Sequence, residues 1–351
     1  MKIAQIAPLA ESVPPRLYGG TERVVSYLTE ELVRLGHHVT LFASADSETS
    51  AELVPCAPRS LRAADLPQLR AYCSLMLEAV RQRANDFDVL HFHLDHLHLP
   101  LFRPLARKTV TTLHGRLDLP PLAALYREFS DMPLVSISNS QRAALPSANW
   151  VATVHHGLAA EICPFNPAFR PSPRTGHFAF IGRVSPEKGL ERAIEIARRA
   201  GARLRIAAKI DAVDEPYFKE RIEPLLAAPG IEFLGEVGEA GKPALLGNAT
   251  ALLFPIDWPE PFGLAMIEAM SCGTPVIAFR RGSVPEIVDE GVTGFIVEGV
   301  EGAVAALERA AGLDRARVRA RFEERFSAAR MARDYLSVYR ALGRRRALAA
   351  V

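Results

Sequence analysis

The chain has 351 residues, 49% of them hydrophobic and 23% charged, with a formal net charge of +2. That length exceeds one ordinary core and calls for two domains, while the near-neutral charge leaves no footprint for nucleic acid. No apolar run reaches the roughly 18 residues that a membrane-spanning helix needs. Cys56, Cys73, Cys163 and Cys272 are far apart and include no Cys-x-x-Cys pair, so neither a zinc site nor a disulfide framework is expected. Met1-Lys2 leads into an apolar strand without a signal-type segment, and the expectation is a cytoplasmic protein with reduced thiols.

Ile3 to Ala7 reads as a buried strand, followed by a loop from Pro8 to Gly20 that contains Gly19-Gly20. Thr21 is the expected N-cap of a helix from Glu22 to Leu35, whose Val24, Val25, Leu28, Leu32 and Leu35 repeat at helical spacing. Gly36 stops it before a strand from Val39 to Ala43. Strand, helix and strand in this order make a parallel βαβ unit. Further elements are a helix around Leu66 to Arg83 and strands at Asp88 to Phe92, Thr109 to Leu113, Leu134 to Ile137 and near Trp150 to Val154. Pro164, Pro167, Pro171 and Pro173 mark a linker.

The same rhythm then restarts. Strands are expected at His177 to Ile181, Leu204 to Ala208, Ile231 to Leu234, Ala251 to Phe254, Val276 to Phe279 and Gly294 to Val297. Between them the pattern gives helices at Gly189 to Ala200, Glu215 to Leu226, Lys242 to Leu246, Leu264 to Ser271 and Val284 to Glu290. Val300 to Ala311, Arg315 to Arg325 and Ala328 to Leu342 complete the helical set. The arginine-rich end, closing in Arg344-Arg345-Arg346, suits a solvated helix face or, as the lesser alternative, weak peripheral contact with an acidic membrane surface.

Chemistry concentrates in residues 254–282. A proline-broken loop carries Glu260, Phe262-Gly263 opens a short helix, and Glu268 lies on the helix body. Backbone N–H groups at the helix start suit an anion, so the stretch reads as a site for a phosphate flanked by hydroxyl-bearing groups. The two carboxylates should stand about 10 to 12 Å apart at the helical rise. Hydrolytic carboxylate pairs work at about 5 to 9.5 Å, which argues against a glycoside hydrolase. Arg183 and Lys188, between a strand and a helix, offer a planar fork and a point charge for phosphate. Neither the Walker loop nor the dinucleotide glycine pattern is present.

In the first half His91, His93, His96 and His98 cluster, and His114 ends a strand. His91 and His93 share a strand face, which a metal could use, but only Asp95 stands near to complete a set, and no metal is expected. His114 fits a neutral donor or acceptor directed at a ligand. Ser138-Asn139-Ser140 and His155-His156-Gly157 are further polar strand ends, as suited to capping as to binding.

Taken together, Glu260-x7-Glu268 with Pro-Phe-Gly inside, the following Cys-Gly-Thr-Pro-Val, Gly182-Arg183 with Lys188, and Gly19-Gly20-Thr21-Glu22-Arg23 resemble the retaining family 4 glycosyltransferases of GT-B fold. The resemblance runs over nearly the whole chain. It implies an α/β protein of two Rossmann-like domains facing a cleft: residues 1–165 on the acceptor side, 166–325 binding a nucleotide sugar, and a terminal helix in 326–351 crossing back to the first. It also implies a hexose, glucose from UDP-glucose by family habit, moved with retention to a hydroxyl acceptor without metal or other cofactor. In that reading Arg183 and Lys188 hold the diphosphate, Glu268 the ribose and Glu260 the sugar. Phe262, Gly263 and Leu264 present N–H groups, Gly20 admits the phosphates, and His114 lies near the transferred sugar. Neither half holds a complete set, so closure on donor binding is expected. The acceptor is left open between a small molecule and a glycan or lipid-linked glycan. Alternatives are a phosphorylase or a sugar-nucleotide epimerase on the same architecture, or a non-catalytic sugar-nucleotide-binding protein.

Overall fold

A computed structural model describes residues 1–62, 66–163, 165–167, 169 and 176–348, without the side chains of 66 and 345–348. Pro164, Pro171 and Pro173 of the expected linker, and the side chains of Arg345 and Arg346, therefore lie outside the described residues. The chain divides into two compact units, Met1–Gly157 with Ala328–Val351, and Leu158–Ser327. These limits fall at 157/158 and 327/328, beside the expected 165/166 and 325/326.

The first unit carries β1 (Lys2–Ile6), β2 (His38–Ser44), β3 (Glu52–Ala57), β4 (Val89–Phe92), β5 (Thr109–Thr112), β6 (Leu134–Ser136) and β7 (Trp150–Thr153). They form one sheet in the order β3-β2-β1-β4-β5-β6-β7, and every pairing is parallel. Ile6, Phe42, Met76, Phe92 and Phe102 pack in its core. The helix Ala328–Leu348 belongs to this unit, and its Tyr335 and Tyr339 are fully buried in it. Arg330 of the same helix donates to the carbonyls of His155 and His156 at 2.7 and 2.9 Å.

The second unit carries β8 (His177–Arg183), β9 (Leu204–Lys209), β10 (Ile231–Phe233), β11 (Ala249–Phe254), β12 (Val276–Phe279) and β13 (Gly294–Val297). Their order is β10-β9-β8-β11-β12-β13, again all parallel. Every residue of β11 and β12 is buried, as expected of parallel strands covered on both faces. Each sheet has one point where the strand order reverses, between β1 and β4 and between β8 and β11. Ligands of open parallel sheets bind beyond the strand ends at such points.

Four expectations need correction. The segment between Ser44 and Leu66, read as loop, contains β3, an edge strand whose Glu52 and Pro55 hide the alternation; Pro is tolerated there because an edge needs fewer donors. Thr21 is not the N-cap: the Arg23 N–H bonds the Gly19 carbonyl at 3.1 Å, so the helix runs Gly20–Arg34 with Gly19 at the cap. The helix from Glu215 to Leu226 is divided by a π-helical turn, Phe218–Ile222, with Pro216 and Pro224 each lacking a ladder N–H. Finally, Cys163 and Cys272 form a disulfide across 109 residues with Cα atoms 5.3 Å apart, where reduced thiols were expected. Local spacing carries no signal for a pair so distant in sequence, and the fold alone brings them within bonding reach.

Candidate active site

The carboxyl ends of β8 and β11 supply most of the second unit's candidate residues. Pro186–Lys188 form a 3-10 turn closed by Gly189 at φ 76°, and a Cβ at Gly189 would lie 2.1 Å from the Pro255 carbonyl oxygen. Only glycine lets this turn settle on the 255–263 loop. The Asp257 N–H bonds the Glu187 carbonyl at 2.8 Å, and Arg192 Nε donates to the Pro255 carbonyl at 3.0 Å.

That seam sets Lys188 against Glu260. Lys188 Nζ donates to Glu260 Oε2 at 2.6 Å and stands 4.9 Å from the Trp258 ring centre, while Trp258 Nε1 donates to the same oxygen at 2.9 Å. Glu260 is 8% exposed, so its charge is stabilised by these two donors rather than by water. Its backbone is fixed as well: the Ser283 N–H bonds the Glu260 carbonyl at 3.0 Å, and a Cβ at Gly282 would meet Glu260 N at 2.3 Å. Among the described residues no donor meets Glu260 Oε1, which leaves that oxygen for a hydroxyl.

The helix Leu264–Ser271 begins at Gly263, which has φ 83° and provides no capping side chain. Helix geometry leaves the first N–H groups, from Leu264, without intrahelical acceptors. Phe262 is buried, and its carbonyl accepts from Ser283 Oγ at 2.8 Å. Glu268, 6% exposed, accepts from Lys242 Nζ at 2.6 Å, and Lys242 also lies 3.5 Å from Glu239. Sequence reasoning missed Lys242, since nothing in its spacing connects it to a helix 26 residues away. At the other end of the helix, Arg315 donates to the Cys272 carbonyl at 3.1 Å and Arg319 to the Ser271 carbonyl. Together with the disulfide at Cys272, these bonds clamp the helix that carries Glu268.

Arg183 joins neither glutamate directly. It is engaged by Glu187 at 2.8 Å, Asp214 at 3.3 Å and Asp211 at 3.9 Å, and Asp211 also pairs with Lys209 at 2.9 Å. The carboxyl ends of β8 and β9 thus hold cations whose field is partly neutralised by protein carboxylates. An incoming anion would have to compete with them.

The first unit's candidates stand at strand ends of a different character. Gly20 is the first residue of the helix after the β1 loop. His114 follows β5, and its Nε2 lies 2.8 Å from His93 Nδ1. His93 Nε2 bonds Gln5 Oε1 at 2.9 Å, and Gln5 Nε2 donates to the Tyr339 hydroxyl at 3.2 Å. That hydroxyl lies 2.7 Å from His91 Nδ1, and His91 Nε2 lies 2.7 Å from Thr112 Oγ1. Thr112 in turn meets the Tyr335 hydroxyl at 2.9 Å. Burial holds His91 and His93 well below the usual imidazole range and brings His98 and His114 down to about 3. These rings are neutral at pH 7. All four ring nitrogens of His91 and His93 are engaged, so that pair has no lone pair to give an ion without breaking the network. Among the described residues no group of three or more His, Cys, Asp or Glu is arranged to hold a metal ion. Gln5, fully buried between Ala4 and Ile6, was a sign of this network that the sequence reading passed over. Ser138 is a helix cap, its Oγ accepting from the Gln141 N–H at 2.9 Å.

No helix among the described residues is long and apolar enough to cross a membrane. The family model described as Glycosyl transferases group 1 matches residues 169–325, and that of Glycosyltransferase Family 4 matches residues 18–173. The D-inositol 3-phosphate glycosyltransferase of Mycolicibacterium smegmatis is 27% identical over 80% of this chain and 75% of its own length. AviGT4, a glycosyltransferase of avilamycin A biosynthesis, superposes with a TM-score of 0.74 at 25% identity over 98% of both chains. Anabaena HepE, solved in complex with UDP and glucose, gives a TM-score of 0.72 at 19% identity over 97% of this chain and 100% of that one. Each of the two units thus carries a glycosyltransferase domain on a Rossmann-like sheet, and the protein is a glycosyltransferase of GT-B fold.

Proposed function

We propose that the protein moves a hexose, glucose from UDP-glucose, to a hydroxyl acceptor with retention of anomeric configuration and without a metal. The observation that carries this reading is the Lys188–Glu260 pair at the strand reversal of the second unit, with Trp258 bonded to the same carboxylate oxygen. A cation and a hydrogen-bond acceptor at one point suit the junction between a diphosphate and a sugar. Lys188 and Arg183 offset the charge that grows on the departing nucleotide, and fixed charges need no reorganisation as the bond breaks. Glu260 takes sugar hydroxyls and Glu268 takes the ribose. The N–H groups at Phe262, Gly263 and Leu264 face the phosphate and sugar, Gly20 admits the phosphates, and His114 meets the sugar from the first unit. The acceptor hydroxyl attacks on the face that the phosphate leaves, and a phosphate oxygen receives its proton. The UDP and glucose bound by HepE support the choice of donor.

The test is a thermal-shift screen of nucleotide sugars followed by proton NMR of the product formed with an extract-derived acceptor. UDP-glucose should stabilise most, and an α-linked product should form in the presence of EDTA. A β-linked product would overturn retention, and abolition of transfer by the chelator would overturn metal independence.

A further inference from the structure

The polar chain in the core of the first unit has a direction. The Gln5 amide splits its two functions, Nε2 donating to the Tyr339 hydroxyl at 3.2 Å and Oε1 facing His93 Nε2 at 2.9 Å. An amide oxygen only accepts, so the His93 proton must be on Nε2. His93 is neutral, held there by burial, and has one ring proton to place. Its Nδ1 is therefore a lone pair, and the ring nitrogen 2.8 Å away, His114 Nε2, must supply the hydrogen. His114 is neutral for the same reason, so its own Nδ1 carries no proton. That nitrogen is buried and has no hydrogen-bond partner among the described residues.

The same amide orientation sets the direction of the other arm. Having accepted from Gln5, the Tyr339 hydroxyl donates to His91 Nδ1 at 2.7 Å, and His91 Nε2–H then donates to Thr112 Oγ1 at 2.7 Å. Reversing the Gln5 amide would reverse each of these bonds and put the His114 proton on Nδ1. The choice is collective, because Gln5 lies buried between one neutral ring and a phenol.

We infer that Gln5 and His93 are positioning residues that hold the ring proton of His114 on Nε2, leaving Nδ1 to accept a hydrogen bond from a ligand hydroxyl and not to donate one to a phosphate. Only the identity of that hydroxyl, on the transferred sugar or the acceptor, rests on the glycosyl-transfer reading; the tautomer stands on the first unit alone. A phosphate oxygen is a pure acceptor and would find no hydrogen at His114. An alcohol brings its own.

The experiment is nitrogen-15 NMR of histidine-labelled protein without ligand, with the His114 signals identified by their loss in His114→Gln. The expected result is a protonated Nε2 and a bare Nδ1 at His114. Gln5→Met removes both functions of the amide, so both His114 tautomers should become populated and kcat/KM should fall by about fivefold, the equivalent of one net hydrogen bond. Gln5→Glu keeps an acceptor for His93 and should restore both the single tautomer and the turnover. A wild-type His114 protonated on Nδ1 would overturn the inference, as would a Gln5→Met tautomer identical to wild type. The inferred tautomer in a protein that turns over no nucleotide sugar would refute the transferase chemistry while upholding the roles of Gln5 and His93.

Discussion

The two sheets reverse their strand order in the same way but fill the space beyond it with opposite chemistry. In the second unit the strand ends carry full charges in close opposition: Lys188 with Glu260, Lys242 with Glu268, and Arg183 with Glu187, Asp214 and Asp211. In the first unit the corresponding end of β4 and its neighbour β5 lead into neutral rings and hydroxyls joined in a chain of hydrogen bonds. The charged arrangement can be rearranged by a ligand that brings its own charge, because such a ligand offers each member of an ion pair a replacement partner. The neutral network cannot respond in small steps, because breaking one buried bond strands both of its ends. One end can exchange partners with a charged ligand, and the other presents a fixed hydrogen-bond pattern.

Acid should separate them most widely. His91, His93, His98, His114 and His156 all have folded-state pKa values lowered by burial from 6.5, so the unfolded chain takes up protons first. Their contribution to stability is complete above about pH 6.5 and declines as pH falls, for His98 and His114 toward about 3. Each histidine removes up to about 1.4 kcal/mol per pH unit over that window. Urea unfolding followed by Trp150 and Trp258 fluorescence in single-tryptophan variants should show the first unit losing stability at pH 5 while the second holds. Parallel loss in both would erase the contrast.

Lys188→Ala should lower kcat by about 10²- to 10³-fold, since it removes a fixed cation from the leaving group and strands Glu260. Steady-state kinetics at saturating donor measures this, and a kcat within threefold of wild type would take Lys188 out of the reaction. Arg183→Ala should cost about 10²-fold in kcat with little change in acceptor KM, because the charge it meets grows only as the bond breaks. Glu268→Ala should weaken nucleotide binding by about 1 to 3 kcal/mol with smaller effect on kcat, and calorimetry checks it. The mildest test is chemical. Unfolded without reductant, the protein should show two titratable thiols, Cys56 and Cys73, and four after reduction.

How much of this was legible from residues alone varied with distance along the chain. The helix Leu264–Ser271 and the strands Val276–Phe279 and Gly294–Val297 begin and end where glycine, proline and apolar runs indicate. Arg183, Lys188, Glu260 and Glu268 were singled out from their places at strand and helix ends, which are local facts. Lys242, Gln5, Thr112, Tyr335 and Tyr339 were not. Their importance comes from partners up to 334 residues away, as with Gln5 and Tyr339, and no periodicity records such a meeting. The histidine cluster was visible, but only the count of its nitrogens could be read, not their occupation.

The residue pattern alone settles that this is a two-unit, all-parallel α/β protein, because buried runs alternating with amphipathic stretches have few other ways to cover their apolar faces. It also determined which charges stand at strand ends. Tertiary structure alone decided which charge opposes which, that Cys163 meets Cys272, and that the last helix delivers two phenols to a core of histidines. The physical reason is one of range. Chain geometry fixes neighbours within a few residues, whereas hydrogen bonds, ion pairs and cross-links form wherever folding brings matching groups within about 3 Å.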